Sequence, residues 1–213
     1  MYNIKFDSYV PEPSPATSDR IVAAHYYAAW KYGAAEVHEG FNDLAEVFPD
    51  RTPLMGYYDE ENPEVCDWEI KWAVEHGINC FIYCWYRRRS NMGKPVTVND
   101  LRCGHGIHEA LFHAKYQNYM KFAIMFEVNA LWSATDEKDM LENLMPFWME
   151  NYFSRDNYLK IDNSPSSSSL TPAVLRRNAL KAQSARRRPL MPVGNIAART
   201  ALTAWYLHPA IPS

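Results

Sequence analysis

The stretch that decides the fold covers residues 62–87, NPEVCDWEIKWAVEHGINCFIYCWYR. Asn62 can cap a helix that begins at Pro63, where the missing N–H costs nothing, and Gly77 can supply the left-handed residue that ends it. Between these caps, apolar residues recur at helical spacing and predict one buried face. The other faces of the helix are predicted to be exposed to solvent, because they carry charged residues: Glu64, Asp67, Lys71 and Glu75. Residues 78–86 are nearly all apolar or aromatic, which is typical of a strand buried on both faces. The stretch therefore predicts one helix followed by one strand of a parallel sheet.

The chain around this stretch alternates strands with helices. Strands are predicted at 20–27 (RIVAAHYY) and 121–128 (KFAIMFEV), and further helices at 105–116 and 136–153. Three repeats of strand, loop and helix are the pattern of a parallel sheet with right-handed crossovers. No Gly-x-Gly-x-x-Gly follows the first strand, which disfavours a dinucleotide-binding sheet. We therefore expect an α/β fold, namely the first three βα units of a partial (β/α)8 barrel of the TIM type.

Aromatic and polar residues cluster where each predicted strand ends, which in such barrels is where the active site lies. Aromatic planes pack on the C–H faces of sugars, and carboxylates and amides bind sugar hydroxyls. Glu127 is the candidate catalytic carboxylate, because strand alternation places it with Ala123 and Met125 on the face opposite Phe122. Asp59 and Glu60 are weaker carboxylate candidates. The predicted substrate-binding residues are His25, Tyr26, Trp30, Asp59, Trp85, Tyr86, Asn129 and Trp132.

Three segments carry a resemblance to a known family: 56–86 (GYYDEENPEVCDWEIKWAVEHGINCFIYCWY), 22–30 (VAAHYYAAW) and 121–127 (KFAIMFE). They resemble the glycoside hydrolase family 99-like group, which overlaps the WbsX-type glycosyltransferase-like proteins. The resemblance covers residues 20–163 and implies a (β/α)8 fold acting on carbohydrates. Two departures stand out. Cys84 replaces an acidic residue of several similar sequences, and the family's catalytic carboxylates are expected on later strands.

The composition changes after Asn163. Residues 164–213 contain seven of the 22 Lys and Arg residues and none of the 25 Asp and Glu residues. Two explanations stay open, a basic disordered tail or translation in a shifted reading frame. We therefore divide the chain into 1–163, the N-terminal part of a carbohydrate-active domain, and 164–213, an irregular low-complexity tail. A chain ending after three βα units would leave the third strand with an unpaired edge, which predicts aggregation.

These features predict glycoside hydrolysis or glycosyl transfer on a glycan. One alternative is a catalytically inactive fragment or sugar-binding remnant, and a weaker one is a zinc-binding structural protein.

Four possible zinc ligands lie close together in the sequence: Cys103, His105, His108 and His113. Their spacing does not contain the ligand pairs of known zinc sites, such as Cys-x-x-Cys or His-Glu-x-x-His, so we predict no metal and no cofactor. Arg87-Arg88-Arg89 is interpreted as a solvated charge run. The net charge of −3 argues against nucleic-acid or anionic-membrane partners, and no apolar span appears, so the expected location is the cytoplasm.

Overall fold

The computed structural model describes residues 8–31, 47–126 and 135–161, together with the backbone of Ser164–Pro165 and Ser167–Ser169. The chain forms two compact units. The first comprises Met1–Cys84 and Cys103–Lys121, and the second comprises Trp85–Arg102 and Phe122–Ser213. Three predicted site residues, Glu127, Asn129 and Trp132, lie outside the described residues.

The fold is a mixed α/β structure with a parallel sheet, as predicted. Its strands are β1 (Ala23–Tyr26), β2 (Cys80–Arg87), β3 (Leu101–Arg102), β4 (Lys121–Phe126), β5 (Lys160–Ile161), β6 (Ser164–Pro165) and β7 (Ser167–Ser169). The main sheet has the order β1-β2-β4-β7, with β3 beside β2, and β5 and β6 form a separate antiparallel pair. β1 pairs in parallel with β2, and β4 with β7. The number of barrel strands stays a prediction.

In the first unit, helix α1 (Pro63–Glu75) has the predicted caps. The Asn62 side chain accepts a hydrogen bond from the Glu64 N–H at 2.9 Å, and Gly77 has a φ of 85°. Cys66, Ile70, Ala73 and Val74 form its buried face. Asp67, which the sequence analysis placed on a solvent-exposed face, is also buried.

Buried Asp67 is satisfied by donors from other segments of the first unit. Its carboxylate accepts hydrogen bonds from the backbone N–H groups of Lys115 and Tyr116 at 3.0 and 2.7 Å, and from the Tyr9 hydroxyl. The Tyr116 hydroxyl in turn donates to the Val10 carbonyl at 2.8 Å. Because charge-assisted hydrogen bonds offset the cost of burying a carboxylate, Asp67 joins α1 to the N-terminal segment and to the chain before β4.

The helix predicted at 105–116 is shorter and less regular than expected. It consists of a π-helical segment, Gly106–Ala110, followed by a 3₁₀ turn, Leu111–His113. Glycine is required at its start, because a Cβ on Gly106 would lie 2.4 Å from the Cβ of Ala28. This close approach packs the helical segment against the chain that follows β1.

In the second unit, the predicted loop 88–99 leads into a strand that the sequence analysis did not predict. Two 3₁₀ turns, Arg89–Asn91 and Val98–Asp100, precede β3, which runs antiparallel to β2. Tyr86 pairs with Arg102, and Arg87 with Leu101. A strand of two residues is too short to show a periodic pattern in the sequence, so β3 could not be predicted without knowledge of its pairing with β2.

The helix predicted at 136–153 is confirmed as a continuous helical region with alternating geometry. The α-helical segments Glu137–Asp139 and Met145–Trp148 alternate with the π-helical segments Met140–Leu144 and Met149–Phe153. Pro146 has no N–H to donate to the preceding turn, and wider π turns lie on both sides of it. The Asp136 side chain caps the start by accepting from the Asp139 N–H at 2.8 Å.

Aromatic side chains fill the core of the second unit. Phe126 packs edge-to-face on Trp148 with ring centroids 5.1 Å apart, and Phe122 packs on Tyr152 at 6.3 Å. Phe122 and Phe126 therefore face the 137–153 helical region. The alternation predicted for this strand holds for its described residues, so Ala123 and Met125 face the other side.

Two short strands, β6 and β7, lie at the start of the segment that the sequence analysis predicts to be an irregular tail. β5 pairs with β6, and β7 pairs in parallel with β4 in the register Ile124↔Ser167, Met125↔Ser168 and Phe126↔Ser169. Contrary to expectation, the edge of β4 is therefore paired. Backbone hydrogen bonding alone can recruit such a strand, since every non-proline residue carries one donor and one acceptor. Residues 170–213 lie outside the described residues, and the boundary at 163 stays a prediction.

Among the helices of the described residues, none has the length and apolarity that crossing a bilayer requires.

Candidate functional site

The turn that precedes α1 is clamped to the chain that follows β1. The Trp30 N–H donates to Glu60 Oε2 at 2.6 Å, and the Glu60 N–H donates to the Trp30 carbonyl at 2.8 Å. Lys31 Nζ forms an ion pair with Glu61 Oε2 at 2.5 Å. Reciprocal hydrogen bonds therefore hold these two segments of the first unit in one fixed arrangement.

This clamp supports a pair of partly exposed rings, which we call the aromatic ledge and define as Trp30 and Tyr58. The Trp30 and Tyr58 ring centroids lie 4.8 Å apart with an interplanar angle of 56°. Both rings are half-buried, and Tyr57 is exposed. An aromatic pair that keeps part of its surface in water can pack against a ligand with an apolar face.

Asp59 and Glu60 lie beside the ledge and have different environments. Asp59 is half-buried, and its carboxylate accepts from the Glu61 N–H at 3.0 Å, so it shapes the turn that carries the ledge. Glu60 is 7% exposed, and its carboxylate holds the Trp30 backbone. The predicted substrate-binding residue Asp59 is thus next to the rings.

We call Tyr26, Glu60 and Glu69 the carboxyl cluster, because the two carboxyl groups interact electrostatically with each other and with the Tyr26 hydroxyl. The Tyr26 hydroxyl donates a hydrogen bond to Glu69 Oε2 at 2.6 Å. β1 supplies the tyrosine, the turn supplies Glu60, and α1 supplies Glu69. The cluster therefore links three segments of the first unit.

Both carboxyl groups of the cluster have raised pKa values. Burial raises the pKa of Glu69 to about 7, the Tyr26 hydrogen bond opposes this rise, and the neighbouring Glu60 adds to it. Burial also raises the pKa of Glu60, against the hydrogen bond from the Trp30 N–H, which lowers it. A carboxyl group with a pKa near 7 can exchange a proton at physiological pH.

The other residues predicted on β1 have separate positions. His25 is exposed and pairs in register with Ile82. Tyr26 points to the opposite face of the strand, where its ring packs on Phe81 and Tyr83 at centroid distances of 5.2 and 4.7 Å. Tyr26 is thus packed against β2, and its contact with substrate stays a prediction.

Trp85 is a core residue of the second unit, which corrects its assignment to a substrate cleft. It is 1% exposed, its indole N–H donates to the Tyr152 hydroxyl at 2.9 Å, and its ring packs on Phe126 and Trp148. These contacts leave no face of the ring for a sugar. Tyr86, its neighbour on β2, is half-buried opposite Arg102.

Arg87 is also buried, contrary to the interpretation of residues 87–89 as a solvated charge run. Its guanidinium pairs with Asp139, while Arg88 and Arg89 are exposed. Asp139 also accepts from the Gly93 N–H at 2.9 Å and from the Thr135 and Asn143 side chains at 3.0 and 2.9 Å. Burial would raise the pKa of Asp139, but hydrogen bonds led by that of Arg87 lower it overall. This network joins the 88–93 segment to the 137–153 helical region.

Sequence reasoning missed two members of these groups, Tyr58 and Glu69. Tyr58 belongs to the GYYDEE segment, where adjacent tyrosines and carboxylates in a long loop are a usable signal. Glu69 lies three residues after Cys66 and four before Ala73, so helical periodicity places it on the edge of the buried face. In the described ranges, no group of three or more His, Cys, Asp or Glu side chains is placed to hold a metal ion.

Comparison with known proteins gave matches among solved structures. Two structures of the GH99 endo-alpha-mannosidase from Bacteroides thetaiotaomicron match, one of them in complex with BIS-TRIS-propane. The complex is 16% identical with a TM-score of 0.48, covering 72% of this chain and 42% of that one. The other is 15% identical with a TM-score of 0.49, covering 72% and 45%. The chain thus spans less than half the length of either structure. No protein-family model and no curated protein matches the sequence.

Proposed function

We propose that this chain is the N-terminal part of a carbohydrate-active, glycoside hydrolase-like (β/α)8 domain, and that the aromatic ledge binds a glycan. The observation that carries the proposal is the half-exposed pair of Trp30 and Tyr58 rings, clamped beside Asp59 and Glu60. The family resemblance of residues 56–86 in the sequence supports it, since these residues contain the turn and helix that carry the ledge.

The chemistry of a pyranose fits such a surface. Its C–H face packs on an aromatic plane, and its hydroxyl groups donate to carboxylates at the rim of that plane. The clamp reduces the entropy lost on binding, because the ledge is ordered before the ligand arrives. We assign stacking to Trp30, hydroxyl binding to Asp59, and further contacts to His25, Tyr86, Asn129 and Trp132.

Cleavage of the glycan requires more than the ledge. Most glycosidases place two carboxyl groups across the scissile bond. We propose Glu127 as one of them, on the alternation of its strand. A second candidate function, glycan binding without cleavage, needs only the ring pair of the aromatic ledge.

The test is calorimetric titration of the full chain with α-linked manno-oligosaccharides, chosen because the matching structures are of an endo-alpha-mannosidase. Loss of one stacking ring removes about 0.5–1.5 kcal/mol, so Trp30→Ala should weaken binding about two- to thirteen-fold. Trp72→Ala is the matched control, since Trp72 forms a similar ring pair with Trp68 at 5.4 Å on α1. Absence of binding by the wild-type chain, or an equal loss in the control, would overturn the proposal.

A reducing-end assay on the same oligosaccharides separates the two candidate functions. Cleavage by the wild-type chain that is lost in Glu127→Gln supports the hydrolase. Binding without any release of reducing ends supports the sugar-binding alternative.

A further inference from the structure

We propose that residues 9–16, YVPEPSPA, form a releasable strap that closes over α1 and the 115–119 segment and opens as one piece while α1 stays folded. Opening exposes the Asp67 carboxylate to water, together with the two backbone N–H groups that this carboxylate holds. The strap is thus a conformational device that covers and uncovers one face of the first unit. It is independent of the proposed function.

The sequence of the strap explains why it is a separate element. Pro11, Pro13 and Pro15 have no N–H to donate, so the strap cannot form a helix or take a central place in a sheet. It accordingly has no regular secondary structure. The fixed φ of each proline also limits the conformations of the free strap, which lowers the entropy lost when it closes.

Two tyrosines of the 115–119 segment fasten the first half of the strap. The Tyr116 hydroxyl donates to the Val10 carbonyl at 2.8 Å, and the Tyr119 hydroxyl donates to Glu12 Oε1 at 2.5 Å. The Val10 side chain is 2% exposed. This half of the strap is therefore held by side-chain hydroxyls and by one buried apolar group.

The second half of the strap is fastened to the last turn of α1. The Ser14 N–H donates to Glu75 Oε1 at 3.0 Å, and the Ala16 N–H donates to the Val74 carbonyl at 2.9 Å. Asp67, which binds the first residue of the strap, lies near the start of the same helix. The strap therefore runs along α1 and is attached near both of its ends.

Asp67 couples the strap to the 115–119 segment. Its carboxylate accepts the Tyr9 hydroxyl from the strap and also the backbone N–H groups of Lys115 and Tyr116, at 3.0 and 2.7 Å. Asp67 is 0% exposed when the strap is closed. Release of the Tyr9 hydroxyl would let water reach this carboxylate and compete for it, so the two N–H groups should lose protection when the strap opens.

The strap should open at a lower free energy than α1. Of its eight residues, Val10 and Pro13 are buried and the other six are exposed. The helix has its own backbone hydrogen bonds and a buried face that includes Ile70 and Val74. Segments with few buried apolar contacts open locally before the elements of the core. Opening of the strap is therefore separate from unfolding of the first unit.

The experiment is amide hydrogen exchange of the ¹⁵N-labelled full chain, followed by NMR. Four amides report on the strap and on the groups that it covers: Ser14, Ala16, Lys115 and Tyr116. In the wild-type chain they should share one opening free energy, and this should be lower than that of the Ile70 amide inside α1. This comparison needs no substitution.

Tyr9→Phe removes the hydroxyl and keeps the ring. It should accelerate exchange of all four amides at least about ten-fold, the effect of losing one hydrogen bond to a charged group, and leave the Ile70 amide unchanged. Tyr58→Phe is the matched control, since it removes a hydroxyl from a half-buried tyrosine of the same unit. It should leave all four amides at their wild-type rates.

Glu75→Ala tests whether the strap opens as one piece, because it removes the acceptor of the Ser14 N–H, at the other end of the strap from Tyr9. Exchange of the Lys115 and Tyr116 amides should still accelerate about three-fold. Unchanged rates for these two amides in Glu75→Ala or in Tyr9→Phe would overturn the inference. So would strap amides that exchange with the same free energy as Ile70, since the strap would then open only when α1 unfolds.

Discussion

At the scale of single residues, acidic side chains of the same helix have different partners. Asp67 is buried and accepts hydrogen bonds from two backbone N–H groups. Glu69, two positions later, is bonded to a hydroxyl beside another carboxyl group, and burial dominates its pKa. Asp67 is therefore held by backbone donors of another segment, whereas burial beside a second carboxyl group raises the pKa of Glu69.

Glu69 should therefore make stability fall as the pH rises. Its pKa is about 7 in the folded chain and about 4.5 when unfolded, so between these values the unfolded state loses a proton that the folded state keeps. Relative to Glu69→Gln, the wild-type chain should lose about 1–3 kcal/mol of unfolding free energy between pH 4.5 and 7, and no more above pH 7.

Urea unfolding of both proteins at pH 5 and 8 measures this difference. Glu64→Gln serves as the control on the same helix and should show no comparable change with pH. If the difference in unfolding free energy between the wild-type chain and Glu69→Gln is the same at pH 5 and pH 8, the prediction is wrong.

At the scale of elements, polar contacts decide how irregular segments attach to regular ones. The 88–93 segment has little regular structure, yet Arg87 at the end of β2 and the Gly93 N–H both bind Asp139 in the 137–153 helical region. The ion pair is excluded from water, since Arg87 is 0% and Asp139 2% exposed. Breaking such a pair is costly because it leaves an uncompensated buried charge.

Asp139→Asn should accordingly destabilise the chain by about 3–5 kcal/mol. Glu142→Gln is the matched control, since Glu142 forms only an exposed ion pair with Lys138 at 3.9 Å, and such pairs contribute about 0–1 kcal/mol. Chemical denaturation at pH 7 compares them. Similar losses in the two variants would show that burial of the Arg87–Asp139 pair has no energetic consequence.

At the scale of the whole molecule, the stability of the sheet depends on residues that the sequence analysis assigned to a tail. β7 covers three backbone positions of β4, from Ile124 to Phe126. An unpaired strand edge formed by apolar residues is a template for aggregation. Strand pairing by a serine-rich segment thus protects an edge at which Ile124, Met125 and Phe126 are all buried.

Truncation should expose this dependence. A chain ending at Asn163 lacks β6 and β7 and should aggregate, whereas a chain ending at Leu170 keeps both and should remain as soluble as the full chain. Light scattering and the sharpness of the thermal transition measure the outcome. Equal behaviour of the two truncated chains would show that β7 does not protect the edge of β4.

Local patterns in the sequence determined the regular elements of this protein. Asn62, Pro63 and Gly77 predicted both ends of α1, because caps act through backbone groups within one turn. Apolar runs predicted β2 and β4, although β1 is shorter than the predicted strand 20–27 and contains Ala23–Tyr26. Trp30 and Asp59 could be chosen as site residues because each belongs to a loop rich in rings and carboxylates.

Only the tertiary structure decided which polar side chains are buried and which short segments become strands. Tyr26 and Glu69 are 43 residues apart, and Arg87 and Asp139 are 52 apart, so no local window contains both partners. The same reason applies to β3 and β7, whose two or three residues become strands only beside β2 and β4. Burial and strand pairing depend on contacts between distant segments, and a buried ionisable group takes its pKa from those contacts.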